Sequence, residues 1–287
     1  MKIIVAAASA LLIGWLSPGL VPNGGSTGVR PAVTPAQSRP HAENVVVVIM
    51  ENRDYDLIVG SSQAPYVNRT LVPQAALMTN SHAIGHPSRP NYVALFSGST
   101  QGITNDFCPR TFSAANAGAE LLAAGKSFGG YSESMPANGY TGCWSGKYAR
   151  KHNPWVDFTN VPPASNRVYL GFPKSPPTLS IVVPNLCNDM HDCSTRTGDD
   201  WLKTHLPPII DYDRAHRGLL ILTWDEADPD RNRTNRIATL LIGPMVTPGS
   251  YDQSIDHYSV LRTIETIAGV PCTANACQAA ELKYMWH

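Results

Sequence analysis

The segment Gly85-His86-Pro87-Ser88-Arg89-Pro90-Asn91-Tyr92 places a hydroxyl nucleophile where a helix should begin. Pro90 suits a first helical turn, so Ser88 falls near the N-terminus, where unpaired N–H groups and the positive dipole end favour a phosphate or a developing alkoxide. Taken alone, the same serine reads as an ordinary helix cap. Two acidic pairs shift the balance. Glu51-Asn52 and Asp225-Glu226 are hard oxygen donors suited to one divalent cation, and each follows directly on an apolar run. Facing one another without a cation they would be costly, and a metal relieves that repulsion. Such an ion would also lower the pKa of the Ser88 hydroxyl and offset charge on a phosphoryl oxygen.

His191 and His257 complete the set. Flanking aspartates in Asn188-Asp189-Met190-His191-Asp192 and Asp256-His257-Tyr258-Ser259 would orient the rings. Either could donate to a phosphate, protonate a leaving alcohol or bind a second metal. His82 and His86 are weaker candidates, and His152 is expected only at the rim. Two patterns fail. Gly125-Lys126-Ser127 lacks the upstream glycine of a phosphate-binding loop, since Glu120 occupies that place, and it runs from helix into strand. No G-x-S-x-G elbow is present.

The elements that must position these groups are legible as apolar runs. Val45 to Met50 is a continuous run of the kind buried on both faces of a parallel sheet. Leu179–Val183, Leu219–Thr223 and Ile237–Ile242 repeat the pattern. Helical stretches are expected at Pro90–Phe96, Ala115–Ala124, Asp199–His205 and Tyr258–Ala268, the last stopped by Gly269. The alternation predicts an α/β fold, a mostly parallel central sheet flanked by helices. The polar clusters follow strand ends, and in such sheets ligands sit outside the carboxyl ends of the strands. Asn138 to Asn166, rich in Gly, Pro and aromatics, reads as a long excursion over one face.

The chain has 287 residues, of which 43% are hydrophobic and 15% charged, with a formal net charge of +0. That supports a large core and gives no electrostatic case for nucleic acid as a partner. Lys2 and the apolar run Ile3–Leu16 read as the core (residues 1–16) of an export signal, too short for stable membrane insertion. Residues 17–42 read as a Pro/Gly/Ser/Thr-rich tether, and residues 43–287 as one catalytic domain. Export to an oxidising compartment would pair the six cysteines. The reading pairs Cys187 with Cys193 and Cys272 with Cys277 as loop clips, leaving Cys108 with Cys143.

Several long motifs resemble the secreted bacterial acid phosphatases of the phosphoesterase family, a family related to phospholipase C, to phosphoinositide phosphatases and to the alkaline phosphatase superfamily. They are Met50-Glu51-Asn52-Arg53, His86–Tyr92, Lys147–His152, Asn188–Asp192, Gly198–Leu202, Thr223–Glu226 and His257–Thr263, in family order. The resemblance implies an alkaline-phosphatase-like fold and a phosphorylated Ser88, with Asn91 and His86 binding substrate. It also implies a metal site of Glu51, Asn52, Ser88, Asp225 and Glu226, with His191 and His257 as phosphate ligands and acid. A second ion is held with them in two-metal relatives. Ala227-Asp228-Pro229-Asp230-Arg231 departs from the family pattern by lacking a glycine and adding a proline. The expected activity is hydrolysis of a small phosphomonoester or phosphoinositide in acid by a secreted monomer. The alternatives are a phospholipase C-type phosphodiesterase and an exported binding protein with a decayed site.

Overall fold

The computed structural model describes residues 40–231 and 234–287. The export signal and most of the tether therefore lie outside the described residues. One mixed sheet organises the remainder, in the order β10-β2-β9-β8-β1-β7-β3-β6, with β11 also on β2. The strands are β1 (Val45–Met50), β2 (Ala76–His82), β3 (Phe128–Ser132), β6 (Asn166–Val168), β7 (Leu179–Val183), β8 (Leu219–Trp224), β9 (Arg236–Ile242), β10 (Gly249–Tyr251) and β11 (Ile255–Asp256). A separate hairpin joins β4 (Trp144–Ser145) to β5 (Tyr148–Ala149). Only β9 runs against its neighbours, pairing antiparallel with β8 and β2. The short link from β8 leaves no room for the crossover that a parallel return needs.

The β1 run has no polar alternation because both of its faces are buried. Val45, Val47 and Ile49 join one core, and Val46, Val48 and Met50 join the other. Against the first core pack helices α2 (Ser88–Ser97), α3 (Ala117–Ala123) and α5 (His257–Ala268), through residues such as Tyr92, Phe96, Leu121 and Ile264. Against the second packs α4 (Thr195–His216), through Trp201, Leu202, Leu206 and Ile209. A one-turn helix, α1 (Tyr55–Ile58), follows β1.

The four expected strands are present, to within one residue at their ends. Helix α4 is much longer than the expected Asp199–His205, because it runs through Pro207 and Pro208. Prolines ordinarily end a helix by removing a donor and clashing with the preceding turn. Here a buried stripe on both sides of them holds the helix together. The Asn138–Asn166 excursion is less open than expected: Tyr148–Pro154, Trp155 and Phe158 are buried, and Trp155 belongs to the first core. All three expected disulfides form: Cys108–Cys143, Cys187–Cys193 and Cys272–Cys277.

Candidate active site

Register assembles the site. Strands β1 and β8 are adjacent and parallel, with Met50 opposite Trp224. The next residues, Glu51-Asn52 and Asp225-Glu226, therefore leave the sheet side by side. Asn52 adopts a left-handed turn, φ 45°, and its N–H donates to Asp225 Oδ1 at 3.1 Å. Strand β7 flanks β1 on the other side, and its following loop brings the Asp189 carbonyl to the Glu51 N–H at 2.8 Å.

Ser88 opens α2, but its hydroxyl does not cap the helix; the N-cap position is Pro87, without a side-chain capping bond. Ser88 Oγ points instead at Glu51 Oε2, 3.0 Å away, and Glu226 Oε1, 3.2 Å away. The role of first-turn acceptor falls to Asp106, whose Oδ1 takes the Arg89 N–H at 3.0 Å. Arg89 is buried, and its guanidinium pairs with Asp157, which also takes Arg150 at 3.0 Å. This buried trio ties the Ser88 segment to the Arg150-Lys151-His152 segment.

His152 lies deep in the site, where sequence reasoning put it only at the rim. It is 1% exposed, stacks on Tyr92 with ring centroids 4.9 Å apart, and lies between two acids. Its Nε2 is 3.0 Å from Glu51 Oε1 and its Nδ1 is 3.5 Å from Asp189 Oδ2. Asp189 is fully buried too, with Oδ1 accepting the His191 N–H at 2.7 Å. Both residues stand inside motifs recognised for other members, Lys147–His152 and Asn188–Asp192. The strand-end position of the latter was the signal that could have singled out Asp189.

The remaining candidates fall at three depths. His191 sits at the edge, with its ring 5.9 Å from that of His152, Nδ1 2.8 Å from Asp192 and Nε2 3.3 Å from Lys151 Nζ. His86 is half-buried and contacts Glu226 Oε2 through Nδ1. His257 is buried behind the acids, with Nε2 donating to the Asp225 carbonyl at 2.7 Å. Asn91 spends its amide on the loop before Ser88: its oxygen accepts from Ile84 and Gly85 N–H, and its nitrogen donates to the Gly85 and Pro87 carbonyls. It thus shapes that loop in this structure. His82 bonds Thr234 and Asn80 outside the cluster.

Electrostatics mark the cluster as unbalanced. Burial, and then Asp225, push the Glu51 carboxyl well above the usual range; burial, and then Glu226, do the same to Asp225. Glu226 is pushed up to about 8 by burial and by Glu51, and Asp189 is raised by burial and Glu51. Burial, with Lys151 and His191 nearby, holds His152 well below the usual histidine range. Asp189 Oδ2 and Asp225 Oδ2 are buried without a hydrogen-bond partner, and Glu51 Oε1 and His152 Nε2, though 3.0 Å apart, are not aligned for one. With its amide oxygen inward, Asn52 faces only acceptors; with its nitrogen inward, it reaches Glu226 Oε1 at 3.0 Å and Glu51 Oε2 at 3.2 Å.

Buried, unpaired, mutually repelling oxygens are a donor set for a hard cation. The residues fit one. The ligand atoms of Glu51, His152 and Asp189 also lie within 4.8 Å of one another. His152 and Asp189 are thus grouped with Glu51 as a set of donors that could hold a cation. His191 and His257, expected as phosphate ligands and acid, stand apart from this group: His257 is turned to the Asp225 backbone and His191 stands at the edge.

Fold and site together define an α/β domain whose strand ends gather buried acids, a serine and a histidine at one edge of a mostly parallel sheet. The fold is shared with a protein in the alkaline phosphatase superfamily from Vibrio parahaemolyticus, at a TM-score of 0.58 and 13% identity over 86% of this chain and 74% of that one. It is shared also with the lipoteichoic acid synthase LtaP of Listeria monocytogenes, at a TM-score of 0.55 and 11% identity over 82% and 74%. The chain belongs to the Phosphoesterase family, which it matches over residues 61–271. A phosphatidylinositol-3-phosphatase of Mycobacterium tuberculosis is 41% identical over 292 residues, 100% of this chain and 93% of the relative. An acid phosphatase of Aspergillus fumigatus is 30% identical over 78% of this chain and 54% of its own length. The chain thus spans about half the length of such fungal relatives.

Proposed function

We propose that the protein is a secreted phosphomonoesterase working through a phosphorylated Ser88. The observation that carries this reading is the Ser88 hydroxyl, buried at a helix start yet aimed at two carboxylates instead of at the helix. A serine kept for capping would accept from the N–H two or three residues further on, in the first turn. Here Oγ is a donor with two basic acceptors, which is what a nucleophile needs to lose its proton.

Ser88 Oγ attacks phosphorus in line and passes its proton to Glu51 or Glu226. His191, oriented through Nδ1 by Asp192, gives a proton from Nε2 to the departing alcohol oxygen. Water then adds to the phosphoserine, the P–Oγ bond breaks, and phosphate leaves as Ser88 regains a proton. Lys151, beside His191, and the start of α2 lie where charge on the equatorial phosphoryl oxygens needs offsetting. A divalent cation held by Glu51, Asn52, Ser88, Asp225 and Glu226 would supply Lewis-acid chemistry, favouring the Ser88 alkoxide and neutralising phosphoryl charge. A histidine acid must start protonated, which favours turnover on the acid side of neutrality. A phosphoinositide is the substrate suggested by the Mycobacterium tuberculosis relative. Three disulfides support an oxidising, extracellular destination.

The test is hydrolysis of an aryl phosphate by wild type and Ser88→Ala across pH, with and without chelator. Phosphate release by the alanine variant at the wild-type rate would end the nucleophile assignment. Trapping of radiolabelled phosphate on wild type alone would support it.

A further inference from the structure

Two of the large apolar side chains most exposed to solvent flank a single disulfide. Phe107, 73% exposed, precedes Cys108, and Trp144, 56% exposed, follows Cys143. The cysteine Cα atoms are 5.8 Å apart, so the two aromatics are neighbours on one staple. Neither is on a loose loop. The Phe107 carbonyl accepts from buried Arg89, and Asp106 before it takes both the Arg89 N–H and Lys151 Nζ, the latter at 2.8 Å. Trp144 opens the β4–β5 hairpin, where Tyr140 Oη donates to its carbonyl at 3.0 Å and Arg150 N–H to that of Cys143 at 2.9 Å. Phe107 is therefore tied through Arg89 to the segment that delivers Ser88, and Trp144 stands on the hairpin that leads to His152.

Solvent-exposed rings on hydrogen-bonded backbone, joined through Asp106 and Lys151 to His191 at the edge of the site, mark a contact surface. Cations stand beside them. Lys147, at the hairpin turn, has a half-exposed side chain 3.3 Å from the likewise accessible Asp192, a pair open to solvent, and Arg110 donates to the Phe107 carbonyl and the Asn105 amide oxygen, neither of which cancels its charge. Aromatic rings beside Lys and Arg are the composition of a membrane–water interface contact. We propose that this rim rests on the interface of an anionic bilayer, so that the site takes its phosphate ester from a lipid headgroup. A protein seated on the same rim would close the approach to Ser88, whereas a bilayer there presents its headgroups to it. The delivery role rests on the phosphatase reading above; the docking surface itself does not.

The experiment pairs a Phe107→Ser/Trp144→Ser variant with wild type. Sedimentation with phosphatidylcholine vesicles, with and without phosphatidylserine, reads docking. Turnover of phosphatidylinositol 3-phosphate in those vesicles and of a soluble aryl phosphate reads delivery and chemistry separately. The expected result is at least about a tenfold loss of vesicle binding and of vesicle turnover, with aryl phosphate turnover retained; tenfold is the change that 1.4 kcal/mol makes. A Phe107→Trp/Trp144→Phe swap, which keeps two rings, should bind vesicles like wild type. Undiminished sedimentation of the serine variant overturns the proposal. So does wild type that turns over the aryl phosphate but ignores anionic vesicles, the outcome expected if the rim serves a protein partner. If the serine variant also loses aryl phosphate turnover, the swap decides: failure to bind vesicles while keeping that turnover overturns the proposal. Wild type that sediments but hydrolyses no phosphate ester overturns the phosphatase reading, and the delivery role with it.

Discussion

The two ends of the strand pair β1/β8 bury acids in opposite ways. At the amino end, Asn44 precedes β1 and Gly218 precedes β8, and between them lies Asp213 from the last turn of α4. Asn44 Nδ2 donates to Asp213 Oδ1 at 2.8 Å, giving one acid one dedicated donor, while the Asp213 Oδ2 is buried without a partner. A Cβ on Gly218 would meet Asp213 Oδ1 at 2.0 Å, so the seat closes only around glycine. At the carboxyl end, Glu51, Asp225 and Glu226 crowd one another; Asn52 N–H serves Asp225, His86 serves Glu226 and Ser88 is shared between Glu51 and Glu226, yet Glu51 Oε1 and Asp225 Oδ2 keep no hydrogen bond. Burial is the leading cause of the raised carboxyl pKa at both ends. The difference lies in what is left over: one oxygen of a single acid with no acidic neighbour, against several oxygens of three acids that repel one another. The first is built for stability and the second for chemistry.

If that contrast is right, substitutions at the two ends separate activity from folding. The largest effect is expected from Ser88→Ala, with kcat lowered about a thousandfold or more. Its melting temperature should stay close to that of wild type, because the lost donor faces a cluster already in excess of acceptors. A large fall in melting temperature would mean that Ser88 is a structural strut like Asn44. The converse is Asn44→Ala, which strands a buried carboxyl. It should cost about 1–3 kcal/mol in denaturant unfolding while leaving KM and the pH profile unchanged. An Asn44→Ala variant with normal stability would dissolve the contrast from the other side.

Asp225→Asn tests the excess charge directly. Removing one of three repelling acids should raise the melting temperature of chelated protein by a few degrees, on the order of 1 kcal/mol, while abolishing turnover. Chelator should lower the melting temperature of wild type and leave the variant nearly unmoved. Equal chelator responses would show that this acid contributes nothing to cation binding.

These two ends were unequally legible in the sequence. The acids after β1 and β8 stood out because a parallel sheet delivers strand-end residues to one edge, so an apolar run followed by Glu-Asn or Asp-Glu is a local signal. Ser88 was ambiguous until its hydroxyl direction was known, since a cap and a nucleophile share one sequence position. His152 was misplaced because its depth depends on the Arg89–Asp157–Arg150 trio and on Tyr92 stacking, contacts between segments about 60 residues apart that no local pattern encodes. For a different reason, strand β2 was missed and β3 was implied only as the strand entered after Ser127. Met78-Thr79-Asn80-Ser81-His82 is polar because β2 lies toward the sheet edge, and β3 carries Gly129-Gly130, where a Cβ on Gly130 would lie 2.1 Å from the Trp155 ring. The Asn44–Asp213 seat was invisible, being a tertiary meeting of a loop and a helix end.

The seat also gives the smallest and most specific prediction, a pH dependence of stability without one of activity. Asp213 is held up at about 7, by burial first, against an ordinary carboxyl value near 4 in the unfolded chain. Between those values the folded protein binds the proton that the unfolded chain has released. Stability from this group is therefore complete below about pH 4 and is lost as pH rises through 7. Glu265, raised to about 7 chiefly by burial and bonded to the Thr273 N–H and hydroxyl, adds a slope of the same sign. Asp213→Asn has nothing to titrate, so its unfolding free energy should fall less than that of wild type between pH 5 and pH 8, by about 1–3 kcal/mol. Glu265 should leave the variant a residual slope. Parallel stability curves for the two proteins would mean that Asp213 ionises freely in the fold and that the amino-end seat is wetter than its geometry implies.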